Sequence, residues 1–113
     1  MRIAIPYENG NVCNDFSSAT LFKLYDTVGG GVAFSQEVSV SGKGDNVLAG
    51  FLADQLVTCL ICNEISPAAQ TALEDWGIQL HAGCSGNADQ QITDLLAGTL
   101  KAAFSTAPTG HHL

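Results

Sequence analysis

Basic side chains are scarce in this chain. Of 113 residues only four are Lys or Arg, against eleven Asp or Glu, for a net charge of −7. Arg2, Lys23, Lys43 and Lys101 are scattered. Neutralising a phosphate backbone needs several clustered cations, so nucleic acid is excluded as a partner, and so is an anionic membrane surface. Charge of either sign is sparse at 13%, about half the usual ~25%. No apolar run approaches the roughly 20 residues of a membrane helix. Met1–Pro6 is too short for a signal peptide and already reads as a strand, so a cytoplasmic protein is expected. Disorder is excluded from the other direction, because 46% of the residues are hydrophobic.

One domain over residues 1–104 is expected, with 105–113 as a flexible tail. Arg2–Tyr7 is a short apolar strand, followed by the turn signal Glu8-Asn9-Gly10-Asn11. Leu21–Asp26 reads as a second strand. Gly29-Gly30-Gly31 marks a turn into a third, Val32–Val40, which alternates. Val32, Phe34, Val38 and Val40 are expected to face the core, with Ala33, Ser35, Glu37 and Ser39 in water. Gly42-Lys43-Gly44 lacks the spacing of a phosphate loop and reads as a connection.

Asp45 or Asn46 can cap a helix over Val47–Leu56. Val57–Ile61 has no polar face, as in a strand buried on both sides. Ser66-Pro67 starts a helix that Gly77 stops. Ile78–His81 is a short strand, and Ala88–Leu96 a last helix. The order β-β-β-α-β-α-β-α predicts an α/β fold. Its five-stranded mixed sheet has three antiparallel strands and then parallel ones joined by right-handed crossovers.

In open α/β sheets, ligands sit beyond the carboxyl ends of the strands. Three loops fall there, and each carries a cysteine: Cys13, Cys62 and Cys84. Their convergence depends on the topology. Cys59 and Cys62 have the spacing of a redox or metal pair. On a strand, however, residues three apart face opposite ways, so Cys59 reads as a buried apolar residue. A thioredoxin-like reading also wants a cysteine at a helix N-terminus, and here the helix starts several residues later. Thiolates select zinc, copper(I) or iron–sulfur species. His81 could add a fourth ligand, but 13…62…81…84 matches no zinc module, which leaves zinc as the lesser possibility. The Cys84–His81 dyad lacks the signs of a nucleophilic centre. The closing His111-His112 is too short to define a metal site.

The run Asn11-Val12-Cys13-Asn14-Asp15-Phe16-Ser17-Ser18-Ala19 is followed by Phe22-Lys23-Leu24-Tyr25-Asp26. Further on come Cys62-Asn63-Glu64-Ile65-Ser66-Pro67, Leu73-Glu74-Asp75-Trp76-Gly77-Ile78 and Gly83-Cys84-Ser85-Gly86-Asn87-Ala88-Asp89. In order and spacing these segments resemble the dinitrogenase iron–molybdenum cofactor biosynthesis family over roughly residues 1–100. The resemblance implies a ribonuclease-H-like fold and no catalysis. It also implies binding of an iron–sulfur or iron–molybdenum cluster for delivery, with a cluster-donor or acceptor protein as partner. Carried over residue by residue, it marks Cys13, Phe16, Ser17, Cys62, Asn63, Gly83, Cys84 and Ser85 as cofactor-binding candidates, with the three cysteines as metal ligands. Asp15-Phe16-Ser17 stands where many members have His-Phe-Gly, so that loop offers no His ligand. Two other readings are a metal-free regulatory or protein-interaction module and, more remotely, a thiol redox enzyme.

Overall fold

The computed structural model describes residues 1–106. The strands are β1 (Arg2–Glu8), β2 (Asn11–Val12), β3 (Leu21–Val28), β4 (Gly31–Ser39), β5 (Cys59–Ile61), β6 (Gln79–Ala82) and β7 (Phe104–Ser105). The helices are α1 (Asp45–Asp54), α2 (Pro67–Asp75) and α3 (Ala88–Ala97), and a 3-10 turn spans Phe16–Ser18. The sheet order is β4-β3-β1-β5-β6-β7, with β2 paired to β1. β3 runs antiparallel to β1 and to β4, while β1, β5 and β6 are mutually parallel.

The five strands read from the sequence are all present. The sheet has seven strands, the two beyond the expected five being β2 and β7. Each has two residues, too few to show a period of two. β7 also moves the tail boundary. Ser105 and Thr106 belong to the domain: Thr106 donates its N–H to the Leu80 carbonyl (2.9 Å), and its hydroxyl accepts from the Leu80 N–H (2.9 Å). His111 and His112 lie outside the described residues.

β1 and β5 are buried on both faces, which explains the apolar run before Cys62. One face carries Ala4, Phe22, Leu24, Leu60 and Leu80 against Leu48 and Leu52 of α1 and Leu73 of α2. The other carries Ile3, Ile5, Tyr25 and Ile61 against Ala88 and Ile92 of α3. The molecule is therefore a sheet between two helix layers.

The expected half-buried face of β4 is not formed. Val32 and Phe34 are 48% and 57% exposed. β4 ends the sheet, and only Val38 and Val40 reach the core. Pairing also shifts, from Asp26 with Phe34 to Thr27 with Val32. This skips Ala33 and turns Val32 to the α3 face.

α1 stops at Asp54, two residues short of expectation, because Leu56 adopts φ 63°. No side chain caps α1, whose N-cap is Gly44. Ser66 caps α2 by accepting from the Ala69 N–H (3.1 Å), and Asn87 caps α3 by accepting from the Gln90 N–H (2.8 Å).

Candidate functional site

The loops that follow β1, β5 and β6 meet at one edge of the sheet. The link is backbone hydrogen bonding. Val12 donates to the Gly86 carbonyl (2.8 Å) and Ala88 to the Gly10 carbonyl (3.0 Å), joining the first loop to the third. Phe16 donates to Glu64 and Glu64 to Asn14, both at 3.0 Å, joining the first to the second. Cys84 donates to the Cys62 carbonyl (2.9 Å), and Gly83 to Asn63 (3.0 Å), joining the second to the third. The convergence expected from parallel β1, β5 and β6 is present.

The thiols themselves are placed less openly than the loops. Cys13 is half-buried, and its thiol donates to the Asp15 carbonyl at 3.6 Å. Cys62 is fully buried on the α1–α2 face. Cys84 is buried on the α3 face, where Cys59 also lies. Cys59 and Cys62 thus take opposite faces, as strand geometry requires. The offset of Cys84 follows from Gly83, which has φ +78° and breaks the regular pairing after β6. A Cβ on Gly83 would stand 2.4 Å from the Ala103 Cβ, so only glycine lets the strand exit pass the segment leading to β7.

Burial pushes the Cys59 and Cys62 thiols up to about 12, with the Cys84 thiol a smaller contributor in each case. Burial raises Cys84 as well. These three sulfurs are kept as neutral thiols near pH 7, whereas a metal ligand is a thiolate. The donor type suits a soft metal, but the donors do not yet form a site. Among the described residues, no group of three or more His, Cys, Asp or Glu is arranged to hold a metal ion.

The remaining candidates divide by role. Phe16 is fully buried and packs edge-on against Phe22, with centroids 6.1 Å apart. It anchors the first loop, and its ring presents no surface at the edge. Ser17 is exposed and donates to an Asp45 carboxylate oxygen at 3.0 Å. Asn63 donates its amide to Asn14 Oδ1 (3.1 Å), and Asn14 donates to Glu64 (3.3 Å). Ser85 and Gly83 line an open cavity with Gln91, Asp94, Thr99 and Lys101. The His81 ring is engaged with Ser105 Oγ at 2.7 Å, while its carbonyl accepts from the Cys62 N–H at 2.9 Å.

Sequence reasoning missed Asp45 as more than a helix start. Its carboxylate accepts from Ser17 and from Ser66, both at 3.0 Å, and so ties the first loop to the start of α2. Nothing in the sequence links positions 17, 45 and 66. Only the fold brings them together.

Comparison with known proteins agrees with this architecture. Among solved structures, the protein designated PH0822 is 26% identical, with a TM-score of 0.86 over 92% of this chain and 96% of its own. The orange protein of Desulfovibrio gigas, solved in the apo form, is 23% identical with a TM-score of 0.79, covering 94% and 96%. The MJ0327 protein of Methanocaldococcus jannaschii is 16% identical with a TM-score of 0.76, covering 94% and 97%. At such low identity the last two attest the fold alone. None of the curated proteins is a significant match. The model of the dinitrogenase iron-molybdenum cofactor family matches residues 1–98, which span the three loops and every candidate residue above, and the chain belongs to that family.

Proposed function

We propose that this protein is a non-enzymatic carrier whose cargo is an iron–sulfur or iron–molybdenum type cluster, exchanged with a donor or acceptor protein. The mixed sheet, with β1, β5 and β6 parallel and β3 and β4 antiparallel, supports the ribonuclease-H-like reading of the fold. The observation that carries the proposal is the hydrogen-bonded meeting of three cysteine-bearing loops at one sheet edge. Cys13, the one partly exposed thiol of the four, is the outer ligand. Cys62 and Cys84 are buried on opposite faces of the sheet, so to serve as inner ligands they must be uncovered and turned to one side by loop movement, and binding must deprotonate them. A half-hidden donor set suits a protein that has to release what it holds.

The test is anaerobic reconstitution with iron and sulfide. Visible absorption is expected in the wild-type chain, lost in Cys13→Ser and weakened in Cys62→Ser and Cys84→Ser. A chain that stays colourless and binds no metal overturns the proposal.

One alternative has an observation of its own. Burial of Cys59, Cys62 and Cys84 as neutral thiols favours a metal-free regulatory or protein-interaction module of the same fold. The colourless outcome selects it. A thiol redox enzyme is disfavoured at Cys59, Cys62 and Cys84, because its chemistry needs a lowered thiol pKa and burial pushes these three upward.

A further inference from the structure

We propose that β4 pairs with β4 of a second copy of this chain, antiparallel, about a two-fold axis at Gln36. Among the described residues, β4 is the outermost strand and β3 is its only partner. It has nine residues and no Pro, Lys or Arg, and Glu37 is its only charge. Free edges are ordinarily blunted by Lys, Pro or inward charges. Here the sole blunting device is the irregularity at Ala33, near one end. In a chain of net charge −7, this edge is a surface on which two copies meet little like charge.

The register follows from the backbone. Val40 donates to the Thr20 carbonyl at 3.0 Å. With the alternation of an antiparallel ladder, Val38, Gln36 and Phe34 then direct their backbone groups at β3. Ser35, Glu37 and Ser39 direct theirs outward. An axis at Gln36 sets Ser35 opposite Glu37 of the second copy, which closes two hydrogen-bonded pairs. It also sets Phe34, 57% exposed, opposite Val38 of the second copy. Val38 already packs on the α1–α2 core, so the pair extends that core across the axis. Aromatic with β-branched is a favourable cross-strand pair. An axis at Glu37 would oppose two acids, and one at Ser35 would set Phe34 against Gln36.

A single strand pair is small, below about 1,200 Å2 in total, so association is read over a concentration series. Sedimentation of the full chain up to about 1 mM is expected to show the mass rising towards twice that of the monomer. Ser35→Pro, which removes an outward N–H at an edge position that tolerates proline, is expected to abolish the rise. A monomer at every concentration overturns the proposal, as does a dimer that persists in Ser35→Pro. An edge that takes up an added extended peptide while the chain stays monomeric overturns it too. Should Ser35→Pro fail to fold, trapping decides. In a Cys13→Ser background, Gln36→Cys is expected to form an interchain disulfide across the axis, where opposed Cβ atoms are about 5 Å apart, and Phe34→Cys is not. Equal cross-linking at both positions, or none at either, overturns the register.

Discussion

Cys84 donates its backbone N–H to the carbonyl of Cys62 at 2.9 Å, yet the two side chains enter separate apolar clusters on opposite faces of the sheet. Nearness of backbone and separation of sulfur coexist because Gly83 shifts the chain by one position before Cys84.

The first prediction concerns thiol access. Ellman's reagent on the native protein is expected to titrate one thiol rapidly, that of Cys13, and the other three only after unfolding. Cys13→Ser should then leave no fast phase. A fast phase of two or more thiols would show the inner cysteines to be open.

The second concerns alkaline stability. Burial pushes the Cys59 and Cys62 thiols up to about 12 in the fold, against about 8.5 in an unfolded chain. A raised folded value means stability that is full below the unfolded pKa and falls as pH rises towards the folded one. Denaturant midpoints should therefore drop steadily between about pH 9 and 12, by up to about 1.4 kcal/mol per pH unit for each thiol. Cys59→Ala should flatten part of that slope, measured by chemical denaturation at fixed ionic strength.

The third concerns Gly83. Its φ of +78° and the 2.4 Å approach to Ala103 make Gly83→Ala destabilising by about 2–3 kcal/mol, as strain adds to steric overlap. Ala103→Gly in the same chain should recover only the part due to the Cβ–Cβ overlap, because the backbone approaches of 3.0 and 3.2 Å and the left-handed strain remain. Thermal or urea unfolding of the wild type, the two single variants and the double variant gives the coupling.

The fourth runs the other way. Leu56 holds φ 63° at the end of α1 and is 75% exposed, so its side chain buries little. Leu56→Gly should raise stability by about 0.5–1 kcal/mol, because glycine meets no steric cost in the left-handed region. A fall in the urea midpoint would contradict this.

Much of the fold was legible because long apolar segments carry their period. β1, β3, β5, β6, α2 and α3 fall within two residues of where hydrophobic spacing and the Ser66-Pro67 start put them. β4 alternates as a strand with a core face does, but its place at the end of the sheet leaves Val32 and Phe34 at the rim. β2 and β7 are held by pairing with β1 and β6 rather than by any local preference. The site was half legible. Parallel β1, β5 and β6 were enough to bring the loops together. Where each sulfur points depends on one left-handed glycine, which hydropathy does not reveal. Phe16 shows the same limit: its neighbours Asp15 and Ser17 are polar, but Phe22 draws its ring inside.

Asp45 receives the hydroxyls of both Ser17 and Ser66 on one carboxylate. Its removal as Asp45→Ala should cost about 1 kcal/mol. The larger consequence is mechanical. The strip of chain around Cys13 is linked through Ser17 and Asp45 to the hydroxyl that also steadies the first turn of α2. Opening that strip is therefore expected to loosen the turn, and amides in the opening turn of α2 should exchange with solvent faster as it opens.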